Sequence, residues 1–365
     1  MPLPSLRARR LLFACALALG CAAGPRGDDP RLRYEGRVVR ADGAVRFAWP
    51  AVTLHARFTG STFALRVHDD LFEARHPQPD ALGVFVDDAP MRRVPLRPGD
   101  AEYVIAEGLP PGAHTVRVMK LTEAEAGTVT VRAVRLAPGG ALLAPPPRPS
   151  RRLLVVGDSI SVGYGVDGPN GDCRATMATH DAARAWPTLL AAGIGAELQL
   201  LAWSGRGVVR NFDANEPETL PVLIRRAIPT DPRTRMDDRA WTPDDIALNV
   251  GTNDAARLGF DDARYADGLE ALVAQVQSHA PRARVALVVG PMLHDAIPAV
   301  GSLSLQRVRA ATDVVVARRR AAGFTRTVRV EVPAAPESEG RGCDQHPSAA
   351  TQRRIADLVA AALPR

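Results

Sequence analysis

Residues 153–160 read LLVVGDSI, four apolar residues that run straight into Gly157, Asp158, Ser159 and Ile160. A short apolar run closed by a glycine is the pattern of a strand buried on both faces, as in a parallel sheet. The pattern recurs as AELQLLAWSG (196–205), DIALNVGTND (245–254), ARVALVVGP (283–291) and RTVRVEV (326–332). Between these runs, DAARAWPTLLAA (181–192), ARYADGLEALVAQVQSHA (263–280), LSLQRVRAATDVVVARRRAA (303–322) and PSAATQRRIADLVAAAL (347–363) carry apolar residues at helical spacing. Alternation of strand and helix predicts an α/β domain over 151–365, a parallel sheet with helices on both faces. In such a sheet the active site belongs at the carboxyl ends of the strands.

Upstream the rhythm is different. From 31 to 138, runs such as VTLHARF, STFALRV, LGVFVDD, HTVRVMK and TVTVRAVRL alternate in polarity and are separated by Gly, Pro and Asp. Closely spaced short strands of this kind predict an all-β sandwich of the jelly-roll type. The Pro-rich stretch at 139–150 reads as a stiff linker between the two units. A chain of 365 residues is of the right length for two domains.

The first 24 residues show basic Arg7, Arg9 and Arg10, an apolar run from Leu11 to Leu19, and small residues after it. This is the layout of a secretory signal peptide, and the apolar run is shorter than the roughly 20 residues a membrane-spanning helix needs. Cys21 sits where a bacterial lipoprotein carries its lipidated cysteine, so two outcomes stay open, free secretion or periplasmic release and a lipid anchor at Cys21. No other stretch reads as a transmembrane span. The formal charge of +6 loses the three charges of the leader, and the arginines are scattered among acids, which excludes a nucleic-acid stripe. Outside the leader only Cys173 and Cys343 remain, and a chain routed to an oxidising compartment makes a disulfide between them the expectation, with two buried thiols as the alternative.

Ser159 lies where a strand ends, exposed to a substrate but a poor nucleophile without a base. Of the eight histidines, His346 has the most telling surroundings, in Asp344-Gln345-His346-Pro347 just before the last helix. This spacing lets the Asp344 carboxylate hold the imidazole Nδ1 and leaves Nε2 free to face Ser159, the serine–histidine–acid arrangement. Gly205 and Asn253 end the second and third strands at the same edge. With the Ser159 N–H they supply the donors of an oxyanion hole.

The blocks GDSI, SGRGV, GTND and CDQHPS, in this order, resemble the four blocks of the SGNH/GDSL hydrolases. The resemblance spans the whole second domain and implies a flavodoxin-like fold, Ser159 as nucleophile, Gly205 and Asn253 as oxyanion donors, His346 as base and Asp344 as acid. A β-domain containing GRVVRADGAVRFAWPAVTLHARFTGS (36–61) ahead of such a domain is similar to carbohydrate esterase family 2, as is the stretch around Trp241. That likeness implies an acetylxylan-esterase-like deacetylase of plant-type polysaccharides; the expected mechanism runs through an acyl-serine intermediate and needs no metal or organic cofactor, and a monomer is expected. Where family members carry an aromatic residue between acid and histidine, this chain has Gln345. Trp203, Trp241 and Gln345 are then the candidates for sugar contacts. The rivals are a lipase-like esterase and a non-catalytic glycan-binding surface protein.

Six further residues are assigned structural parts. Asp181 reads as a helix N-cap beside His180, rather than the two as a metal pair, and His294 with Asp295 as a surface loop. Asp254 reads as ordering its own loop, and Trp186 as core.

Overall fold

A computed structural model describes residues 24–72 and 78–364. Cys21 and all of the leader but its last residue lie outside the described residues. Five parallel strands, Arg151–Gly157, Ala196–Ala202, Asp245–Asn249, Arg284–Val289 and Thr327–Glu331, form one sheet in the order second, first, third, fourth, fifth. The first strand is therefore central, paired in register with the second and the third. That order puts a topological switch at its carboxyl end, where Ser159 emerges.

Each side of the central strand feeds a different core. Leu153 and Val155 pack with Trp186, Leu190, Ile355 and Val359 from the helices Trp186–Ile194 and Ala349–Ala362. Leu154 and Val156 pack with Leu269, Leu272, Val308 and Val315 from Asp262–Gln277 and Ser304–Ala321. All eight of those helical side chains are essentially shielded from water. Unbroken apolarity in LLVV is thus explained by helices on both faces.

The N-terminal unit is two antiparallel sheets packed face to face. One is centred on Thr53–Thr59 and Ala113–Lys120, the other on Phe63–Leu71 and Gly127–Leu136. Alternation is visible in Phe63–Leu71, where Phe63, Leu65 and Val67 point into the core and Arg66 points out. Its core residues Trp49, Phe58 and Val129 belong to the same apolar cluster as Leu154 and Leu248 of the parallel-sheet domain.

The stretch expected to be a linker departs from that expectation. Ala141–Leu143 adds a strand to the sandwich, antiparallel to Arg57–Thr59. Farther on, Arg148 pairs with the buried Glu197 of the second parallel strand. Proline content stiffens a chain, but it does not stop the three residues between proline clusters from completing a sheet edge. The sandwich also starts earlier than residue 31, because Gly27 N–H donates to Arg132 O at 2.8 Å.

Candidate active site

Ser159 opens the short helix Ser159–Val162, capped by Asp158, whose carboxylate accepts the Ile160 N–H at 3.0 Å. Gly157 is required here, since a Cβ at that position would lie 2.1 Å from Ser161 Oγ. The strand-to-helix turn leaves Ser159 with 9% of its surface exposed at the carboxyl edge of the sheet.

His346 comes to it from the far end of the chain. Its Nε2 lies 2.9 Å from Ser159 Oγ, and its Nδ1 lies 3.0 Å from the backbone carbonyl of Asp344. A carbonyl can only accept, so Nδ1 carries the proton and Nε2 presents its lone pair to the serine hydroxyl. This is the tautomer a general base needs.

The expected carboxylate contact is corrected here. Asp344 adopts φ 51° and ψ 38°, and Gln345 φ 60°. In this left-handed turn the main-chain carbonyl serves the imidazole and the side chain points away. The Asp344 carboxylate instead accepts the Tyr164 hydroxyl at 3.0 Å and the Ala175 N–H at 2.9 Å. A spacing of two residues does not distinguish which of the residue's two acceptors faces the ring.

The loop is fastened by a disulfide between Cys173 and Cys343, Cα atoms 4.6 Å apart. Around it Cys343 N–H donates to Gly165 O, Asp344 N–H to Cys173 O and Gln345 N–H to Gly171 O, at 2.8 to 3.0 Å. The bridge closes a loop of 170 residues, for which chain entropy gives about 4 to 5 kcal/mol. Cys173→Ser should therefore lower the melting temperature by several degrees in a scanning calorimeter. The three backbone bonds keep His346 near Ser159, so the loss of turnover should stay within about tenfold. An unchanged melting temperature contradicts the bridge's role.

Gly205 takes φ 75°, its carbonyl accepts the Phe212 N–H at 2.8 Å, and its own N–H has no partner among the described residues. The same holds for the N–H of Ser159. Asn253 is buried in the same place, but its amide donates to Arg206 O at 2.8 Å and to Asp158 Oδ2 at 3.1 Å. Serving an oxyanion requires it to give up the longer of these. Burial pushes the Asp158 carboxyl up to about 7, so this acceptor is a weakened competitor. Asp254 is the strut of the neighbouring turn rather than of its own loop, accepting the N–H groups of Val208, Val209 and Arg210.

The tryptophan candidates do not reach the site's opening. Trp203 is 4% exposed, edge-on to Phe72 and covered by the Arg206 guanidinium at 4.7 Å. Trp241 precedes the third strand and lines a small cavity with Arg37, Leu154 and His279, at the sheet edge opposite Ser159. Gln345 does lie on the catalytic loop, exposed, with its amide donating to Asp172 Oδ1 at 3.2 Å. The aromatic ring actually presented beside the oxyanion turn is Phe212, 53% exposed, with its Cβ 3.9 Å from where a Cβ of Gly205 would be. Its signal was a lone aromatic among polar residues, in RNFDAN right after the glycine block.

Helix Trp186–Ile194 starts with Ala185 as N-cap, and Asp181 instead accepts the Ala183 N–H one turn earlier. His294 is exposed, and Asp295 ties its loop to Gln306. Trp186 is fully buried, with Nε1 3.2 Å from Ser161 Oγ.

Residues 155–354 match the model of the GDSL-like lipase/acylhydrolase family. The chain belongs to that family. Residues 34–146 match the carbohydrate esterase 2 N-terminal model. Among similar proteins, cellulase/esterase CelE of Acetivibrio thermocellus is 26% identical over 343 residues, covering 92% of this chain and 40% of CelE. The chain thus spans less than half the length of that relative. An acetylxylan esterase / glucomannan deacetylase of Cellvibrio japonicus is 28% identical over 326 residues, 86% of this chain and 83% of the relative. Among solved structures, a family two carbohydrate esterase from Clostridium thermocellum in complex with cellohexaose superposes with a TM-score of 0.84 at 25% identity, over 90% of this chain and 97% of that one. A carbohydrate esterase family 2 enzyme plus carbohydrate-binding domain from Corynascus thermopiles (Myceliophthora fergusii) gives 0.78 at 29%, over 91% and 99%. Both units of the fold are therefore those of family 2 esterases.

Proposed function

We propose that this protein is an exported carbohydrate deacetylase that removes acetyl groups from sugar hydroxyls of plant-type polysaccharide through an acyl-Ser159 intermediate. The observation that carries the reading is His346 Nε2 at 2.9 Å from Ser159 Oγ, with Nδ1 on a carbonyl that fixes the tautomer. Ser159 Oγ attacks the ester carbonyl as His346 takes its proton. The oxyanion forms against the N–H groups of Ser159 and Gly205, with Asn253 as the third donor. His346 then returns the proton to the departing sugar oxygen, and water, activated by the same base, releases acetate. Exposed Phe212 offers a face on which a sugar ring can stack beside the reacting ester. The similarity to an acetylxylan esterase / glucomannan deacetylase supports the choice of acetylated polymer.

Mass spectrometry of acetylated xylan and glucomannan oligosaccharides before and after incubation tests the reading. Stepwise loss of acetyl groups is expected. Retention of every acetyl group while a lipid ester is hydrolysed favours the lipase-like alternative, and no turnover of any ester favours a glycan-binding protein.

Burial pushes His346 down to about 4, and the Asp344 carbonyl only partly opposes this. The base must be neutral, so activity is present above this pKa and lost as pH falls through it. The acid limb of kcat/KM on an acetate ester should lie near pH 4 to 5, well below an ordinary histidine at 6.5. A midpoint at 6.5 or higher contradicts the burial argument.

A further inference from the structure

The sandwich domain reaches the catalytic centre through one residue. Glu123 sits on the turn between the strands Ala113–Lys120 and Gly127–Leu136 and is 1% exposed. Its carboxylate accepts three hydrogen bonds, all from the hydrolase domain. Ser204 donates its N–H and its hydroxyl, each at 2.8 Å, and His180 Nε2 lies at 3.1 Å. Ser204 is the residue before Gly205, so two of the three bonds fix the oxyanion turn. The His180 ring packs at a tilt against that of Tyr164, centroids 4.5 Å apart, and Tyr164 packs likewise 4.3 Å from His346, so the third bond is linked to the base through two ring contacts.

Domain docking does not need this carboxylate. Ala182 N–H already donates to Leu121 O at 3.0 Å, Arg93 to His180 O at 2.8 Å, and Met177 N–H to Gln78 Oε1 at 2.8 Å. The two units also share an apolar core. Burying a carboxylate is costly, and a neutral side chain would seal the interface more cheaply. The turn itself is propped from below by Lys120, the chain's only lysine, fully buried with Nζ 2.8 Å from Glu123 O and 2.6 Å from Asp80 Oδ1. Burial works to raise Glu123, but His180 and Ser204 hold its carboxyl below the ordinary glutamate value, so it is an anion.

We propose that Glu123 is a positioning residue of the esterase site, by which the N-terminal domain holds the oxyanion turn at Ser204–Gly205 and, through His180 and Tyr164, the ring of His346. The domain is then part of the catalytic apparatus and not an appended module. An anchor of this kind acts on the transition state, because the oxyanion donors and the base must keep their places as charge moves between them.

This proposal rests on the esterase reading, and one experiment separates the two. Turnover of 4-nitrophenyl acetate is measured with wild type, Glu123→Gln and Ser204→Ala, together with the inhibition constant of phenylboronic acid, a tetrahedral mimic on Ser159. No turnover by wild type overturns the esterase reading itself. With wild type active, Glu123→Gln should lower kcat by about tenfold or more with KM within about twofold, and raise the boronate constant by a matching factor. A purely structural role would reduce the amount of active enzyme and leave that constant unchanged. Ser204→Ala, which removes one donor of three and nothing else, should move kcat and the boronate constant together by about threefold, and it decides the matter if Glu123→Gln does not fold. Wild-type boronate affinity in the folded Glu123→Gln variant, or in Ser204→Ala when only that variant folds, overturns the proposal.

Discussion

Ser159→Ala is expected to lower kcat on acetate esters by more than about 10⁴-fold with the melting temperature within a degree or two of wild type. The size follows from the mechanism, because without Oγ there is no acyl-enzyme and the remaining oxyanion donors can only assist water. The fold should be indifferent to the change. Ser159 makes its contact with His346 at the rim of the sheet, while the helix it opens is capped by Asp158 through the Ile160 N–H. A paired measurement of kcat and thermal unfolding checks this. Residual turnover within tenfold of wild type removes Ser159 from the nucleophile's role.

The second large effect is a contrast between neighbours. His346→Ala should cost about 10³-fold or more in kcat, since among the described residues no other side chain is hydrogen-bonded to Ser159 Oγ to take its proton. Asp344→Asn should cost less than about tenfold, because the group that holds Nδ1 is the main-chain carbonyl, which the substitution leaves in place. What Asp344→Asn does disturb is the pair of bonds to Tyr164 and Ala175, which support the loop's shape. Steady-state kinetics of the two variants on one substrate give the comparison. Equal losses in folded proteins would mean that the carboxylate swings onto the imidazole during turnover.

Most of the α/β unit was legible in the chain because buried parallel strands are written without alternation, as in LLVV, and their glycine-bearing ends mark the functional edge. The sandwich was legible from period-two runs such as STFALRV, in which Phe63, Leu65 and Val67 do face the core. Its margins were not, because Ala141–Leu143 holds its place by pairing with Arg57–Thr59, about eighty residues away, and such a contact leaves no local mark. Ser159 and His346 were readable as residue types in suggestive turns. The backbone carbonyl at Asp344 was not, since every residue has one and only the positive φ of this residue brings it into use. The sequence offers Trp203 and Trp241 as aromatic rings near the blocks but does not show their burial, whereas exposure at the right edge of the sheet is what selects Phe212. Glu123 meets His180 and Ser204 only because two domains dock, which no pattern within either one encodes.

On the proposed mechanism His346 activates Ser159 as the single nucleophile of this site. Labelling with a fluorophosphonate, followed by peptide mapping in a mass spectrometer, tests it most directly. One adduct per chain on Ser159 is expected in wild type, formed in step with loss of esterase activity, and formed far more slowly in His346→Ala. An adduct on another residue, or full labelling that leaves acetate-ester turnover intact, would contradict the account.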